Sequence, residues 1–184
     1  MNIREMYQSG SEEIIGEEAQ LKAVRYDGDN IRFMYEPSEQ VQYVAVGTCG
    51  LAIQYIKDPS ERVQLAAVKQ NSNAIQYIHN PSEQVQLAAV KNNGYVIQYI
   101  HNSSEAVQLA AVKNNEYVIQ HIHNPSEQVQ LAAVKKNGYA IQHIHNPSEV
   151  VQIAALENNP NCIKFFKKAW LPPVRKMTVA DVCA

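Results

Sequence analysis

Apolar and polar positions along the chain repeat every 22 residues: Val85-Gln86-Leu87-Ala88-Ala89-Val90-Lys91 recurs letter for letter at 63–69, 107–113 and 129–135. Ile-Gln-(Tyr/His)-Ile follows in the same register at 53–56, 75–78, 97–100, 119–122 and 141–144. A fixed period of a few tens of residues marks a solenoid, in which one unit cannot bury its apolar face alone and stacking buries it.

The local chemistry predicts two short helices per unit. In Asn80-Pro81-Ser82-Glu83, Asn is expected to cap, Pro to take the first helical position and Glu the third, completing a capping box. That helix runs through Leu-Ala-Ala-Val and ends near Asn93-Gly94, where Gly or the preceding Asn can adopt the left-handed conformation. Where glycine is absent, at Ser72, Glu116 and Pro160, an Asn still precedes, at 71, 115 and 159. The second helix, Tyr95 to His101, spans about two turns and depends on packing for its stability. Helical projection puts Val85, Ala88 and Ala89 on one side of the first helix, with Leu87 and Val90 extending the apolar surface round most of the circumference, so that the helix is expected to pack on two or three sides. In the second helix Val96, Ile97 and Ile100 face the core, and Tyr95, Gln98 and Tyr99 share the opposite face.

A degenerate unit fits 15–36, and six more start at Pro37, Pro59, Pro81, Ser103, Pro125 and Pro147. The expected fold is all-α: an α-solenoid of seven 22-residue two-helix repeats over 15–168, with an N-terminal cap at 1–14 and a C-terminal cap and tail at 169–184. Phe165, Phe166 and Trp170 are expected to seal the last face, and Pro172-Pro173 to end regular structure.

Composition narrows the function classes. Sixteen basic against 18 acidic side chains give a formal charge of −2, so no global field steers the chain toward nucleic acid or an anionic membrane. Three cysteines, Cys49, Cys162 and Cys183, do not follow the repeat and suit a reducing compartment rather than a disulfide framework. No apolar run reaches the roughly 18 residues of a membrane span, and Met1 to Gly10 lack the apolar core of a secretory signal. A soluble, cytoplasmic protein is expected.

Side chains repeated in each unit are either structural or a binding ladder. Gln20, Gln42, Gln64, Gln86, Gln108, Gln130 and Gln152 read as half-buried amides that pair with one another or with adjoining loop backbone, or as a row lining one surface. The second helices offer Tyr95, Gln98 and Tyr99, then Tyr117, Gln120 and His121, then Tyr139, Gln142 and His143. Tyr55 and Tyr77 hold the matching place in earlier units. Aromatic hydroxyls and amides in a row suit protein recognition; the alternative is that the tyrosines fill gaps between units. His79, His101, His123 and His145 are one repeat apart, too far to share a metal ion, and are expected in the last turn of the second helix, where the dipole favours positive charge.

Lys69, Lys91, Lys113 and Lys135 end the first helices, and Glu39, Glu61, Glu83, Glu105, Glu127 and Glu149 start them. Each sign sits where the helix dipole favours it. Identical lysines in successive units could track a phosphate backbone without reading bases, which leaves nonspecific nucleic-acid binding as the alternative function. No nucleophile with a base, paired carboxylates, phosphate-cradling loop or metal-ligand spacing is present, so neither catalysis nor a cofactor is expected. Symmetric stacking of end repeats could make a homodimer.

The strings at 85–95 (Val-Gln-Leu-Ala-Ala-Val-Lys-Asn-Asn-Gly-Tyr) and 81–90 (Pro-Ser-Glu-Gln-Val-Gln-Leu-Ala-Ala-Val) resemble the uncharacterised helical repeats, a domain of unknown function, of bacterial, phage and large-virus proteins. The Asn-Pro-x-x-x-Val-x-x-Ala-Ala core is similar to leucine-rich-variant and HEAT-like repeats, although this unit is shorter than most HEAT repeats and lacks their intrahelical proline. The likeness covers 15–168 and implies an α-solenoid with a binding surface and no shared catalytic residues. Likeness to the phage repeats implies an inhibitor that binds a host defence protein.

Overall fold

The computed structural model describes residues 16–166. Seven ten-residue α-helices occupy Glu17–Tyr26 (α1), Glu39–Thr48 (α2), Glu61–Gln70 (α3), Glu83–Asn92 (α4), Glu105–Asn114 (α5), Glu127–Lys136 (α6) and Glu149–Asn158 (α7). A six-residue 3-10 helix follows each: Gly28–Phe33 (η1), Gly50–Tyr55 (η2), Ser72–Tyr77 (η3), Gly94–Tyr99 (η4), Glu116–His121 (η5), Gly138–His143 (η6) and Pro160–Phe165 (η7). Each α-helix packs on the next α-helix, each 3-10 helix on the next 3-10 helix, and the layers touch within and between neighbouring units. The chain is an all-α solenoid of seven repeats. The cap at 1–14, the last two residues of the seventh unit, Trp170, Pro172-Pro173, Cys183 and the tail lie outside the described residues.

The start of each α-helix differs from the sequence expectation. Ser82, not Asn80, is the cap: its Oγ accepts from the Val85 amide at 3.4 Å, and Glu83 is the first helical residue. Pro81 therefore stands outside the helix, and the proposed capping box does not form. Asn80 instead takes a left-handed conformation (φ 47°), as do Glu36, Asp58, Asn124 and Asn146. The chain reverses there, in a conformation that Asn tolerates better than most residues.

The end of the α-helix also differs. Asn93 is extended (φ −147°) and its Oδ1 accepts from the Tyr95 amide at 3.0 Å, so this residue closes α4 while capping η4. Gly94 is required for closeness rather than for a left-handed turn: a Cβ there would lie 2.7 Å from the Ala111 carbonyl oxygen of the next unit. The second helix is a 3-10 helix rather than an α-helix. Its six residues are too few to repay α-nucleation, and 3-10 geometry suits short pieces. It ends at Tyr99, so His101 and its counterparts lie beyond the helix and not in its last turn.

Val85, Ala89 and Val90 are fully buried, and so are their equivalents in neighbouring units; Val96 and Ile97 complete each core layer. Leu87 and Ala88 pack against this core and are half-buried, so the helix is packed on more than one side. The packed edge runs through positions 85, 89 and 90.

Two hydrogen-bond ladders tie successive units. At the start of the α-helices the capping serine donates to the first glutamate of the preceding unit: Ser38 to Glu17, Ser60 to Glu39 (2.5 Å), Ser82 to Glu61, Ser104 to Glu83 and Ser126 to Glu105. At the other end, the last residue of one α-helix reaches back to the unit before. Asn114 Nδ2 donates to the Lys91 carbonyl at 3.1 Å and its Oδ1 accepts from the Gly94 amide at 2.9 Å. Gln70 makes the same pair with Thr48 and Gly50, and Asn158 with Lys135 and Gly138. Helix carbonyls that have no partner within their own helix are thus satisfied by the neighbour.

Candidate interaction surface

Of the glutamines first considered as a ladder, those from Gln42 to Gln152 are bonded within their own units. Gln86 Nε2 donates to the Pro81 carbonyl at 2.9 Å, and Gln42, Gln64, Gln108, Gln130 and Gln152 do the same at their own residue 37, 59, 103, 125 or 147. They bond loop backbone, one of the two expected pairings, and tie the connecting loop to the α-helix. Side-chain bonds between repeats are made instead by the serine–glutamate ladder and by Gln70, Asn114, Lys136 and Asn158.

The 3-10 layer carries the aromatic residues. Ile97 and Ile100, one 3-10 turn apart, point inward, while Tyr95, Gln98 and Tyr99 are exposed. Successive units meet edge to face: Tyr95 on His121 with ring centroids 6.3 Å apart, Tyr117 on His143 at 6.4 Å, Tyr139 on Phe165 at 5.9 Å. Such pairs contribute about 0.5–1.5 kcal/mol beyond the area they cover. Tyr117 is held further by its hydroxyl, which accepts from Asn137 Nδ2 at 2.7 Å, and both Tyr117 and Tyr139 are half-buried. Tyr55, Tyr77, Tyr95 and Tyr99 remain about 40% exposed (41%, 43%, 40% and 39%). Gln120 and Gln142 are exposed and His121 and His143 half-buried. Gap-filling thus describes the tyrosines of units five and six better than those before them.

Polar grooves lie between units beside this row. One of about 560 Å³ is bordered by Gln120, Gln142, His123, His143 and His145, and another of about 410 Å³ by Gln76, Tyr99, His79 and His101.

Burial, and then the charge of neighbouring His121, push the His143 imidazole below its ordinary pKa of 6.5. The sign is opposite to the one a helix end would give. The unfolded chain then binds the proton more readily than the folded one, so this contribution to stability is complete above about pH 6.5 and lost as pH falls from there through the lower folded-state value. Melting temperature should decline between pH 7.5 and 5.5, and less steeply in His143→Phe, which borrows the residue found at position 165. Equal declines would assign the effect to other groups.

No protein-family model matches the chain, and neither a curated protein nor a solved structure matches it. The site therefore rests on its own geometry.

The α layer presents a different surface. Lys69, Lys91, Lys113 and Lys135 are exposed at the helix ends, and Lys136 alone among the described residues forms an ion pair, with Glu116 at 3.2 Å. That contact and bonds to the Glu116 backbone and Asn137 hold the Glu116 carboxyl below its usual range, the backbone bond contributing most. Arg62 lies over the Tyr43 ring at 4.3 Å on the same layer. Cys49 and Cys162 are free thiols, both pushed up in pKa chiefly by burial. No helix of the described residues is long and apolar enough to cross a membrane, and among them no group of three or more His, Cys, Asp or Glu could hold a metal ion.

Two features escaped the sequence reading. The Ser/Glu ladder was hidden because each residue already had a local reason to be where it is, as cap or as dipole partner. The Gln70/Asn114/Asn158 clip was hidden because Lys136 replaces it in unit six, where Nζ bonds the Lys113 and Asn114 carbonyls at 2.8 and 3.1 Å.

Proposed function

We propose that the chain is a non-catalytic protein-binding scaffold that engages its partner with the Tyr/Gln/His row of the 3-10 layer. The supporting observation is the continuity of aromatic contacts from unit to unit, Tyr95 to His121 and Tyr117 to His143. Rings fixed by their neighbours lose little entropy on binding, and tyrosine and histidine with exposed amides between them make both apolar and polar contacts. In its narrower form the proposal is a phage-type inhibitor that occupies a host defence protein, which rests only on the likeness of the repeat strings.

The test is affinity capture from the native cell, then calorimetry of the captured protein against wild type and against the fourfold variant Tyr95→Ala, Tyr99→Ala, Tyr117→Ala, His121→Ala. Truncating several anchors at once should weaken binding at least a hundredfold, since each hot-spot residue contributes about 2 kcal/mol or more. Unchanged affinity with intact helicity removes the row as the site. Capture that disappears steeply with salt, at about 0.9 log units per phosphate contact per decade on duplex DNA, would favour backbone binding through Lys69, Lys91, Lys113 and Lys135.

A further inference from the structure

The α layer carries a second surface whose chemistry is unlike that of the aromatic row. Between α4 and α5 the half-buried Leu87, Leu109 and Ala110 floor a notch of about 530 Å³, with Lys91 and Lys113 on its rim. A similar notch of about 350 Å³ lies around α3, with Leu65 and Ala66 below and Glu61, Arg62 and Lys69 beside them. These apolar side chains pack against the core with part of their surface and leave the rest open, unlike the fully buried Val85, Ala89 and Val90.

The charges at the two ends of these helices are not equivalent. The carboxylates at the start are engaged, Glu61 by Ser82, Glu83 by Ser104 and Glu105 by Ser126. The ammonium groups of Lys91 and Lys113 at the other end have no ion-pair partner among the described residues. An open cationic rim therefore adjoins an apolar floor around Lys91 and Lys113, and Lys69 repeats it one unit earlier.

From this we infer that the α layer docks an acidic amphipathic segment of a partner protein, apolar side chains in the Leu/Ala notches and carboxylates against the lysine rim. A phosphate backbone would use the lysines but gains nothing from a leucine floor, whereas a peptide with apolar residues three or four positions apart uses both. This surface is independent of the aromatic row, so either can fail without the other.

A random 12-residue peptide library displayed on particles and selected against the immobilised full chain tests the inference. Enriched peptides should carry net negative charge with apolar residues three or four apart. In fluorescence polarisation their affinity should fall at least tenfold with Lys91→Glu/Lys113→Glu, fall similarly with Leu109→Gln, and hold with Tyr95→Ala/Tyr99→Ala. Circular dichroism confirms that each variant is folded; should Leu109→Gln unfold, Ala106→Glu on the exposed rim replaces it. Enrichment of neutral or basic peptides, indifference to both α-layer changes, or no enrichment overturns the inference. So does a 20-base-pair duplex DNA that binds in a lysine-dependent way while no peptide does.

Discussion

Ile97→Ala in the central unit should lower the unfolding free energy by about 2–5 kcal/mol, the cost of deleting a large aliphatic side chain from a packed interior. Ile97 is 2% exposed, and its neighbours on both sides are fixed by their own units, so the space left cannot close by a local shift. In a stacked array each unit is stabilised only by its neighbours, and weakening the middle removes support in both directions. The equivalent change at Ile163, which is 53% exposed in the last described unit, should cost no more than about 0.5 kcal/mol, the usual range for surface substitutions. Urea titrations at unchanged slope read the contrast directly. Equal losses at the two positions would mean that the units do not share one continuous core.

The second large effect concerns Ser82, which both accepts from the Val85 amide and donates to Glu61 of the preceding unit. Ser82→Ala removes both bonds and should cost at least the roughly 0.5–2 kcal/mol of a lost cap. Ser82→Asp separates the roles. Aspartate caps as well as serine does, but its carboxylate cannot donate to Glu61 and repels it. If the serine only capped, Ser82→Asp would be as stable as wild type; with the ladder in place it should be no more stable than Ser82→Ala. Combining it with Glu61→Gln should restore most of the loss, because the amide can donate to the new carboxylate. Thermal melts of the three variants at low salt decide between cap and ladder.

Much of this arrangement was legible in the 22-residue spacing. The unit boundaries at Pro37, Pro59 and Pro81, the inward Val96, Ile97 and Ile100, and the outward Tyr95, Gln98 and Tyr99 all follow from apolar periodicity. What periodicity cannot supply is the difference between a six-residue α-turn and a 3-10 turn, because both place residues three apart on one side. It also could not choose between Asn80 and Ser82 as the cap, since both residue types cap well and only the path of the chain decides. The left-handed Asn80 reverses the chain one residue before the proline, which moves the helix start two positions further on than the sequence suggested. Gly94 misled for a related reason. Glycine at a helix end usually signals a left-handed turn, but here the Ala111 carbonyl of the next unit takes the place of a side chain. The aromatic row was visible residue by residue, while its contacts across units, 26 positions apart, could be seen only once the stacking was known.

Consecutive units stack in one register, so that the row is built before any partner arrives. Selectively labelled tyrosine and histidine rings allow nuclear Overhauser contacts to be measured between Tyr95 and His121 and between Tyr117 and His143. Cross-peaks are expected for both pairs in the free protein. Their absence would contradict that register.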